Sequence, residues 1–305
     1  MKCFRKELLA VILTIVLSVN ATSQNKEISI TESDDKIEKS SKKKNNKKYK
    51  LPNIDLSHWS VTTPELNEKG RATTVEPPEI LNYATDEKLI PYMYNDSSSG
   101  ALVFYAYPSN ATTANTKYSR SELREQMEPG NNDVNWAFPQ GGTLKGKLAM
   151  ENVSKDADGK YHKVIIMQIH GRLTDEQRDL IGQKDNNAPP ILKIYWDKGK
   201  IRVKTKVLKN PSVTGEVLLH EEAWGDDEGF NFEQEVGFRK FTLEVKVSEG
   251  KMVVVLNNSE YKVYENIHMR KWGVFENYFK AGNYFQTRDK GAFARVKYYS
   301  LEVSH

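Results

Sequence analysis

A short segment of alternating polar residues is the first feature of the sequence that could carry chemistry. Residues 118–126 read Tyr-Ser-Arg-Ser-Glu-Leu-Arg-Glu-Gln. Successive side chains of a β-strand point to opposite faces. One face would therefore hold Tyr118, Arg120, Glu122, Arg124 and Gln126. On this segment alone, a solvent-facing strand whose charges pair with one another is the simpler interpretation.

The second segment, residues 163–170, reads Lys-Val-Ile-Ile-Met-Gln-Ile-His and is apolar enough for a central strand. Gln168 and His170 emerge on one face at its end, where buried polar groups need partners. A histidine in isolation is most simply a hydrogen-bonded structural residue. No other His, Cys, Asp or Glu lies at a metal-ligand spacing from His170, so the sequence predicts no metal site.

The third segment, residues 278–286, reads Tyr-Phe-Lys-Ala-Gly-Asn-Tyr-Phe-Gln. Alternation places one set of side chains outward and leaves Phe279, Ala281 and Phe285 facing inward. The outward set is Tyr278, Lys280, Tyr284 and Gln286. Glycine within a strand costs stability, so Gly282 either leaves room for a ligand against the backbone or forms a β-bulge.

Together the three faces combine arginines, a lysine, an amide, a histidine and tyrosines with a single acid, Glu122. This mixture suits an acidic sugar, because aromatic rings can stack on sugar rings and guanidinium groups bind carboxylates through paired hydrogen bonds. Glycoside hydrolysis needs two carboxylates, which these segments do not offer. A non-catalytic carbohydrate-binding module would need neither His170 nor Tyr284, and it stays open as an alternative.

The elements that must position these residues are short β-strands. Apolar and polar residues alternate in segments separated by Gly, Asn, Asp and Pro, as in Asp158-Gly159 and Asn257-Asn258. One short helix is predicted at Thr174–Ile181. Regularly spaced strands without intervening helices predict two packed antiparallel sheets, a sandwich or jelly roll. The further predicted strands are Leu102–Tyr107, Ile191–Trp196, Lys200–Val207, Phe241–Val247, Met252–Leu256 and Ala292–Val303.

The N-terminus predicts export. Basic residues precede an apolar run from Leu8 to Val19, and small residues follow, so we expect a signal peptide at residues 1–21. The run is too short for a spanning helix, so the mature form is expected to be secreted or periplasmic and free of the membrane. Its removal takes away Cys3, the only cysteine, and with it disulfides and a cysteine nucleophile. Residues 22–50 are polar and lysine-rich, typical of a disordered linker.

The remaining residues, 51–305, show no second change of composition and predict one domain. The chain has a net charge of +4, but twelve basic and six acidic residues lie within residues 1–50, which leaves −2 for the domain. Attraction for an acidic substrate must therefore be local. No nucleic-acid partner is expected, and we expect a monomer.

The three segments resemble the signature blocks of polysaccharide lyase family 7, the alginate lyases. The blocks occur in order at Arg120–Arg124, Gln168–His170 and Tyr278–Gln286, and Ile54–Pro64 resembles the start of such domains. The likeness covers most of residues 51–305. It implies an all-β jelly roll, made of two antiparallel sheets, with the active cleft on the concave sheet.

The resemblance also implies roles in β-elimination, which removes the C5 proton of a uronate and expels the oxygen at C4. Arg120 and Gln168 would neutralise the carboxylate, and His170 would act as the base. Tyr284 would act as the acid, or as both acid and base on mannuronate. No cofactor is implied. Substrate binding or support would fall to Glu122, Arg124, Tyr278, Lys280 and Gln286.

The expected activity is endo-type cleavage of alginate, an anionic polysaccharide, to unsaturated oligosaccharides. In the family, an isoleucine such as Ile169 between the Gln and His is associated with guluronate-containing chains. Endo and exo action both stay open, because loops such as Arg172–Pro190 and Pro211–Phe232 could form lids or walls. A lyase of another polyuronate, such as glucuronan, is a further alternative.

Overall fold

The computed structural model describes residues 51–113 and 116–305. The predicted signal peptide, the predicted linker and Cys3 lie outside this part. No helix within it is long and apolar enough to cross a bilayer. The strands in chain order are β1 Asn53–Ile54, β2 Trp59–Leu66, β3 Ala72–Val75, β4 Met93–Asp96, β5 Ala101–Ala106, β6 Arg120–Glu125, β7 Trp136–Ala137, β8 Gly142–Val153, β9 Val164–Arg172, β10 Asn187–Asp197, β11 Lys200–Leu208, β12 Trp224–Asp226, β13 Phe230–Glu235, β14 Phe241–Ser248, β15 Lys251–Leu256, β16 Glu260–Tyr264, β17 Glu276–Phe285 and β18 Ala294–Ser304.

The strands form two sheets. One has eight strands in the order β16-β15-β14-β8-β18-β5-β4, with β1 added to β18 by a short parallel pairing. The other has ten, in the order β12-β11-β10-β9-β17-β6-β2-β3, with β13 beside β11 and β7 beside β17. All pairings except the one of β1 are antiparallel, which confirms the predicted all-β sandwich.

Local chemistry explains the strand connections. Asn257 and Asn258 adopt φ of 51° and 56° in the turn between β15 and β16, and Lys198 and Gly199 adopt 54° and 88° between β10 and β11. Two successive residues with positive φ match the right-handed twist of the strands that they connect. The predicted strands and these turn positions are confirmed.

The predicted short helix is also present, as α1 at Asp175–Leu180. Thr174 caps it by accepting a hydrogen bond from the Gln177 backbone, and the Gln177 side chain returns one to the Thr174 backbone. A second helix, α2 at Ile267–Lys271, was not predicted. It is five residues long, too short to show helical periodicity.

The core lies between the sheets and is built from the inward faces of their strands. Phe279 of β17 packs against Trp136 at 4.8 Å between ring centroids, and Phe104 meets Tyr298 edge-on at 5.5 Å. Met167 and Ile169 of β9 are fully buried in the same core. Burial of these residues fixes the strand registers, because a slip of one residue would turn the inward set outward.

Candidate active site

The three polar segments of the sequence lie side by side in the ten-stranded sheet. β17 pairs with β6 on one side and with β9 on the other. Lys280 lies opposite both Arg124 and Gln168, and Tyr278 lies opposite His170. These side chains point away from the core. The strand alternation of the sequence therefore brings the predicted residues onto one surface.

A buried carboxylate is the centre of this surface. Glu122 has no exposed surface, and its two carboxylate oxygens accept three hydrogen bonds. Arg120 Nη1 donates to Oε2 at 2.9 Å, Lys280 Nζ to the same oxygen at 2.7 Å, and Gln168 Nε2 to Oε1 at 2.6 Å. Burial raises the pKa of Glu122, but its cationic neighbours more than offset this effect and the net shift is downward. Glu122 is therefore an anion that fixes three donors, and of its two expected roles the geometry favours support over contact with substrate.

Arg120 has donor capacity left after this pairing. Its side chain is almost fully buried, and its Nη2 atom makes no hydrogen bond within the described part of the chain. Buried donors are normally satisfied, so such an atom marks a place where a ligand acceptor fits. The amide of Gln168 likewise keeps a second N–H beyond the one given to Glu122.

Tyr284 lies next to Arg120 in the sheet. The Arg120 guanidinium carbon is 3.8 Å from the centroid of the Tyr284 ring. Burial raises the pKa of the Tyr284 hydroxyl, and this effect exceeds the lowering by the charge of Arg120. Tyr284 is therefore a protonated phenol at neutral pH, able to donate a proton.

His170 is half-buried at the opposite side of the Glu122 cluster. Its Nδ1 lies 3.0 Å from the carbonyl oxygen of Gly171, which can only accept, so Nδ1 carries the proton and Nε2 has a free lone pair. Burial, followed by the charge of Lys280, lowers the pKa of His170 to about 3. The imidazole is neutral throughout the neutral range and can accept a proton at Nε2.

An aromatic ring and a guanidinium group lie beside His170. The Tyr278 ring stacks on the imidazole with centroids 5.2 Å apart, and the Arg124 guanidinium lies 4.1 Å above that ring. Arg124 is held by the carbonyl oxygens of Glu125 and Asn132. Burial, followed by the charge of Arg120, lowers the pKa of Lys280 to about 8. These groups give the surface around His170 a positive charge.

The surface opens into a cleft of about 300 Å³. Of the predicted residues, Gln168, Glu122 and Tyr284 lie beneath or beside the cleft without lining it, and Gln286 lies beyond the end of β17, where its amide donates to the Tyr284 carbonyl. Four lining residues, Thr62, Thr113, Thr116 and Asn187, were not predicted, because single short uncharged side chains in strands and loops carry no sequence signal. The lining residues are Thr62, Thr113, Thr116, Arg120, Arg124, His170, Asn187, Tyr278 and Lys280.

Gly282 forms a β-bulge, the second of its two expected roles. The register between β17 and β9 shifts between Ala281 and Tyr284, and Gly282 has a φ of 138°. A Cβ here would lie 2.7 Å from the carbonyl oxygen of Ser121 in β6, so the glycine lets the strands approach rather than making room for a ligand. The Gly282 N–H donates to the Tyr298 hydroxyl in the core at 3.1 Å. The register with β6 is unbroken from Lys280 to Tyr284, so alternation keeps Tyr284 on the same face as Lys280.

This arrangement combines four capacities. It offers donors for a carboxylate, a neutral imidazole that can accept a proton, a phenol that can donate one, and a positive surface. No group of three or more His, Cys, Asp or Glu side chains that could hold a metal ion occurs in the described part of the chain. Proton abstraction beside a carboxylate, with proton donation to a leaving group, is the chemistry that these groups suit best.

Comparisons with known proteins agree with this chemistry. The family model described as alginate lyase, Alginate_lyase2, matches residues 54–305. An alginate lyase from Klebsiella pneumoniae is 24% identical over 304 residues, covering 83% of this chain and 90% of that protein. The crystal structure of a family 7 alginate lyase, A1-II′, in complex with the product GGG has a TM-score of 0.66 at 30% identity, covering 83% of this chain and 97% of that one.

A solved alginate lyase from Pseudomonas aeruginosa has a TM-score of 0.60 at 22% identity, covering 82% of this chain and 99% of that one. This second likeness concerns the fold alone. The two-sheet sandwich shared with these structures is the predicted jelly roll.

Proposed function

Because this chain belongs to the alginate lyase family, and is thus a polysaccharide lyase with an anionic polysaccharide as substrate, we propose that it cleaves alginate by β-elimination in the endo mode, with activity on guluronate-containing blocks. One observation carries the proposal. The buried Glu122 fixes Arg120, Gln168 and Lys280 between a neutral histidine and a protonated tyrosine.

Arg120 and Gln168 neutralise the substrate carboxylate. An ionised carboxylate makes the neighbouring C5 proton hard to remove, because negative charge then accumulates on an enolate. The unpartnered Nη2 of Arg120 and the second N–H of Gln168 are donors that can meet this charge as it develops. Removing one such donor typically costs about 10²–10³ in rate.

His170 takes the C5 proton through Nε2. The Gly171 carbonyl holds the proton on Nδ1, and the lowered pKa keeps the ring neutral. Tyr284 then gives its proton to the departing C4 oxygen, since its raised pKa keeps it protonated before the reaction. The C4–O bond breaks as the C4–C5 double bond forms, so the atoms and electrons balance without a cofactor.

The positions of these two groups support the guluronate preference. In guluronate the C5 proton and the leaving group lie on opposite faces of the sugar. His170 lies opposite Tyr278 in the sheet and Tyr284 lies opposite Arg120, so the base and the acid flank the carboxylate donors from two sides. Ile169 itself is buried in the core and does not line the cleft, so its side chain makes no direct contact that would set the preference.

Substrate binding falls to the residues that line the cleft around the base. Arg124 and Lys280 attract carboxylates, and Tyr278 offers a ring face to a sugar. The lining extends on both sides of the Glu122 cluster, toward Asn187 at one end and toward Tyr284 at the other. A chain that continues past the reacting bond in both directions suits the endo mode.

Export belongs to the same proposal. A mature chain that begins after residue 21 and acts as a secreted or periplasmic monomer would meet polymeric alginate outside the cell. N-terminal sequencing of the protein from its native host should find the new terminus near Thr22. Retention of Met1 would contradict this part.

The product tests the reaction. Elimination leaves an unsaturated sugar that absorbs in the ultraviolet, whereas hydrolysis leaves none. We expect the absorbance to rise on guluronate-rich and mixed alginate faster than on mannuronate-rich alginate, with long products first. If the absorbance rises on glucuronan but not on alginate, the substrate is another polyuronate. No rise on any polyuronate would refute a lyase.

Two tyrosine variants separate catalysis from binding. Tyr284→Phe should lower kcat by at least about 10²-fold and leave binding of alginate oligomers largely unchanged, because only the proton donor is removed. Tyr195→Phe removes a hydroxyl of raised pKa from β10, which is separated from β17 by β9, and should retain turnover. Equal turnover in both variants would overturn the assignment of the acid and favour a binding module or another donor.

A further inference from the structure

A second polar cavity lies beyond the Tyr284 end of the active cleft. It has a volume of about 510 Å³, and its lining includes Ser109, Lys117, Tyr118, Thr287, Arg288 and Lys290. Three of these side chains are cations, and no carboxylate from the described part of the chain lines the cavity. Asp289, the acid within the same loop, points away and binds His162 at 2.8 Å. The cavity is thus a local site of positive charge on a domain whose net charge is −2.

Two aromatic rings with a cation at each end connect the cavity to the active cleft. Arg120 lies 3.8 Å from the Tyr284 ring, which lies 6.3 Å from the Tyr118 ring. The Arg288 guanidinium carbon in turn lies 6.0 Å from the centroid of the Tyr118 ring. An acidic sugar chain leaving the reaction centre past Tyr284 would meet a ring face and then a cation, the groups that bind it in the cleft.

A contact between loops holds Arg288 in place. Arg288 Nε donates to the Lys117 carbonyl at 3.0 Å, which leaves its two Nη groups for other acceptors. Within the ranges that the structure describes, neither Lys117 nor Lys290 forms an ion pair with a carboxylate. The hydroxyls of Ser109 and Ser119 donate to the carbonyls of Pro64 and Ser109, whereas the Thr287 hydroxyl accepts the Asp289 backbone N–H and keeps its own proton for a sugar oxygen.

We propose that this cavity is a distal subsite that binds a uronate carboxylate of the same polysaccharide chain, through Arg288 and Lys290 with Tyr118 as the stacking surface. The proposal rests on the proposed function, because it needs a polyuronate in the cleft. Its consequence is that long chains bind more tightly than short ones, at an unchanged rate of the chemical step.

The test compares two double variants that each remove two positive charges. Arg288→Ala with Lys290→Ala removes the subsite cations. Lys246→Ala with Lys251→Ala, on the eight-stranded sheet, is the matched control. Exposed charge contacts contribute a few tenths to about 1 kcal/mol each, so the subsite variant should raise KM for polymeric alginate about three- to tenfold, with kcat unchanged. The effect should shrink at about 1 M salt, where charges are screened within about 3 Å.

Substrate length gives the second readout. The difference in KM between the subsite variant and the wild type should be smallest for the shortest guluronate oligomer that is cleaved and should grow with chain length. A KM for polymer equal to that of the control would overturn the subsite. Lys290 is exposed and forms no ion pair among the described residues, so Lys290→Ala alone should raise KM about two- to threefold with an unchanged melting temperature. A wild-type enzyme inactive on every polyuronate would instead refute the proposed function.

Discussion

Replacing Glu122 by Gln is the most informative perturbation of the active site. The substitution keeps the shape of the side chain and one acceptor oxygen but removes the only negative charge among Arg120, Lys280 and Gln168. Two buried cations would then lack their counter-ion. The new NH₂ group would also face at least one of the N–H donors that had bonded to the carboxylate, so two donors would point at each other.

The structure gives the size of the effect. Breaking a buried ion pair by removing one partner costs about 3–5 kcal/mol. In a domain of this size 1 kcal/mol lowers the melting temperature by about 2–4 °C, so we expect a fall of about 6–20 °C. Arg120 and Gln168 would also lose the anchor that aims them, and loss of one aimed donor alone costs about 10²–10³ in rate. We therefore expect kcat to fall at least about 10²-fold.

The assay pairs thermal unfolding with turnover on alginate, and β6 itself offers the control. Glu125 is equally buried but faces the core, where it binds His305 at 2.7 Å and Trp136 at 3.0 Å. Glu125→Gln should lower the melting temperature by a similar amount and leave kcat near the wild-type value at a temperature where both variants are folded. Glu122→Gln with wild-type turnover and an unchanged melting temperature would refute the role of Glu122 as the anchor of the site.

Three further outcomes follow from the pKa shifts and the bulge. Lys280, with a pKa lowered to about 8, loses its charge as the pH rises through that value, so kcat/KM should fall above about pH 8. In a pH–rate profile, Lys280→Arg should move this fall to higher pH, because arginine keeps its charge. The pKa of His170 is lowered to about 3, against about 6.5 in the unfolded chain, so the native state binds fewer protons between these values. The free energy of unfolding should therefore decline as the pH falls from about 6.5 toward 3, and His170→Gln should flatten this decline in thermal unfolding measured across that range. Gly282→Ala should cost about 3 kcal/mol or more, because the φ of 138° and the contact with the Ser121 carbonyl both oppose a Cβ; an unchanged melting temperature would contradict the bulge.

Much of the fold and of the site could be predicted because both depend on the two-residue period of a strand. The alternation around Arg120, Gln168 and Lys280 determines which side chains face outward, and the apolar residues between them determine which face is buried. Turn residues such as Asn257 mark where strands end. Neither inference needs knowledge of which strands are neighbours, whereas the pairing of β17 with both β6 and β9 is visible only in the folded chain.

Depth beneath the sheet surface was the property that alternation could not reveal. Glu122 and Arg124 share a face in the sequence pattern, yet Glu122 is fully buried while Arg124 borders the cleft. The difference arises because Lys280 on the neighbouring strand β17 and Gln168 on β9, the strand beyond it, close over the carboxylate. The lowering of the His170 pKa to about 3 could not be predicted from the sequence either, because it depends on burial and on the charge of Lys280.

These facts explain how a slightly acidic domain can bind a polyanion. Glu122 cancels one of the three positive charges of Arg120, Arg124 and Lys280, so the centre of the site retains a charge of about +2 while the domain carries −2. With Glu122 absent, three cations would repel one another in a poorly solvated sheet surface, and with a second carboxylate present the attraction for a uronate would largely vanish. A single buried acid therefore stabilises the cations and still leaves them available to substrate. The lack of a second acid, which argued against hydrolysis, also lets the cleft attract a chain of carboxylates.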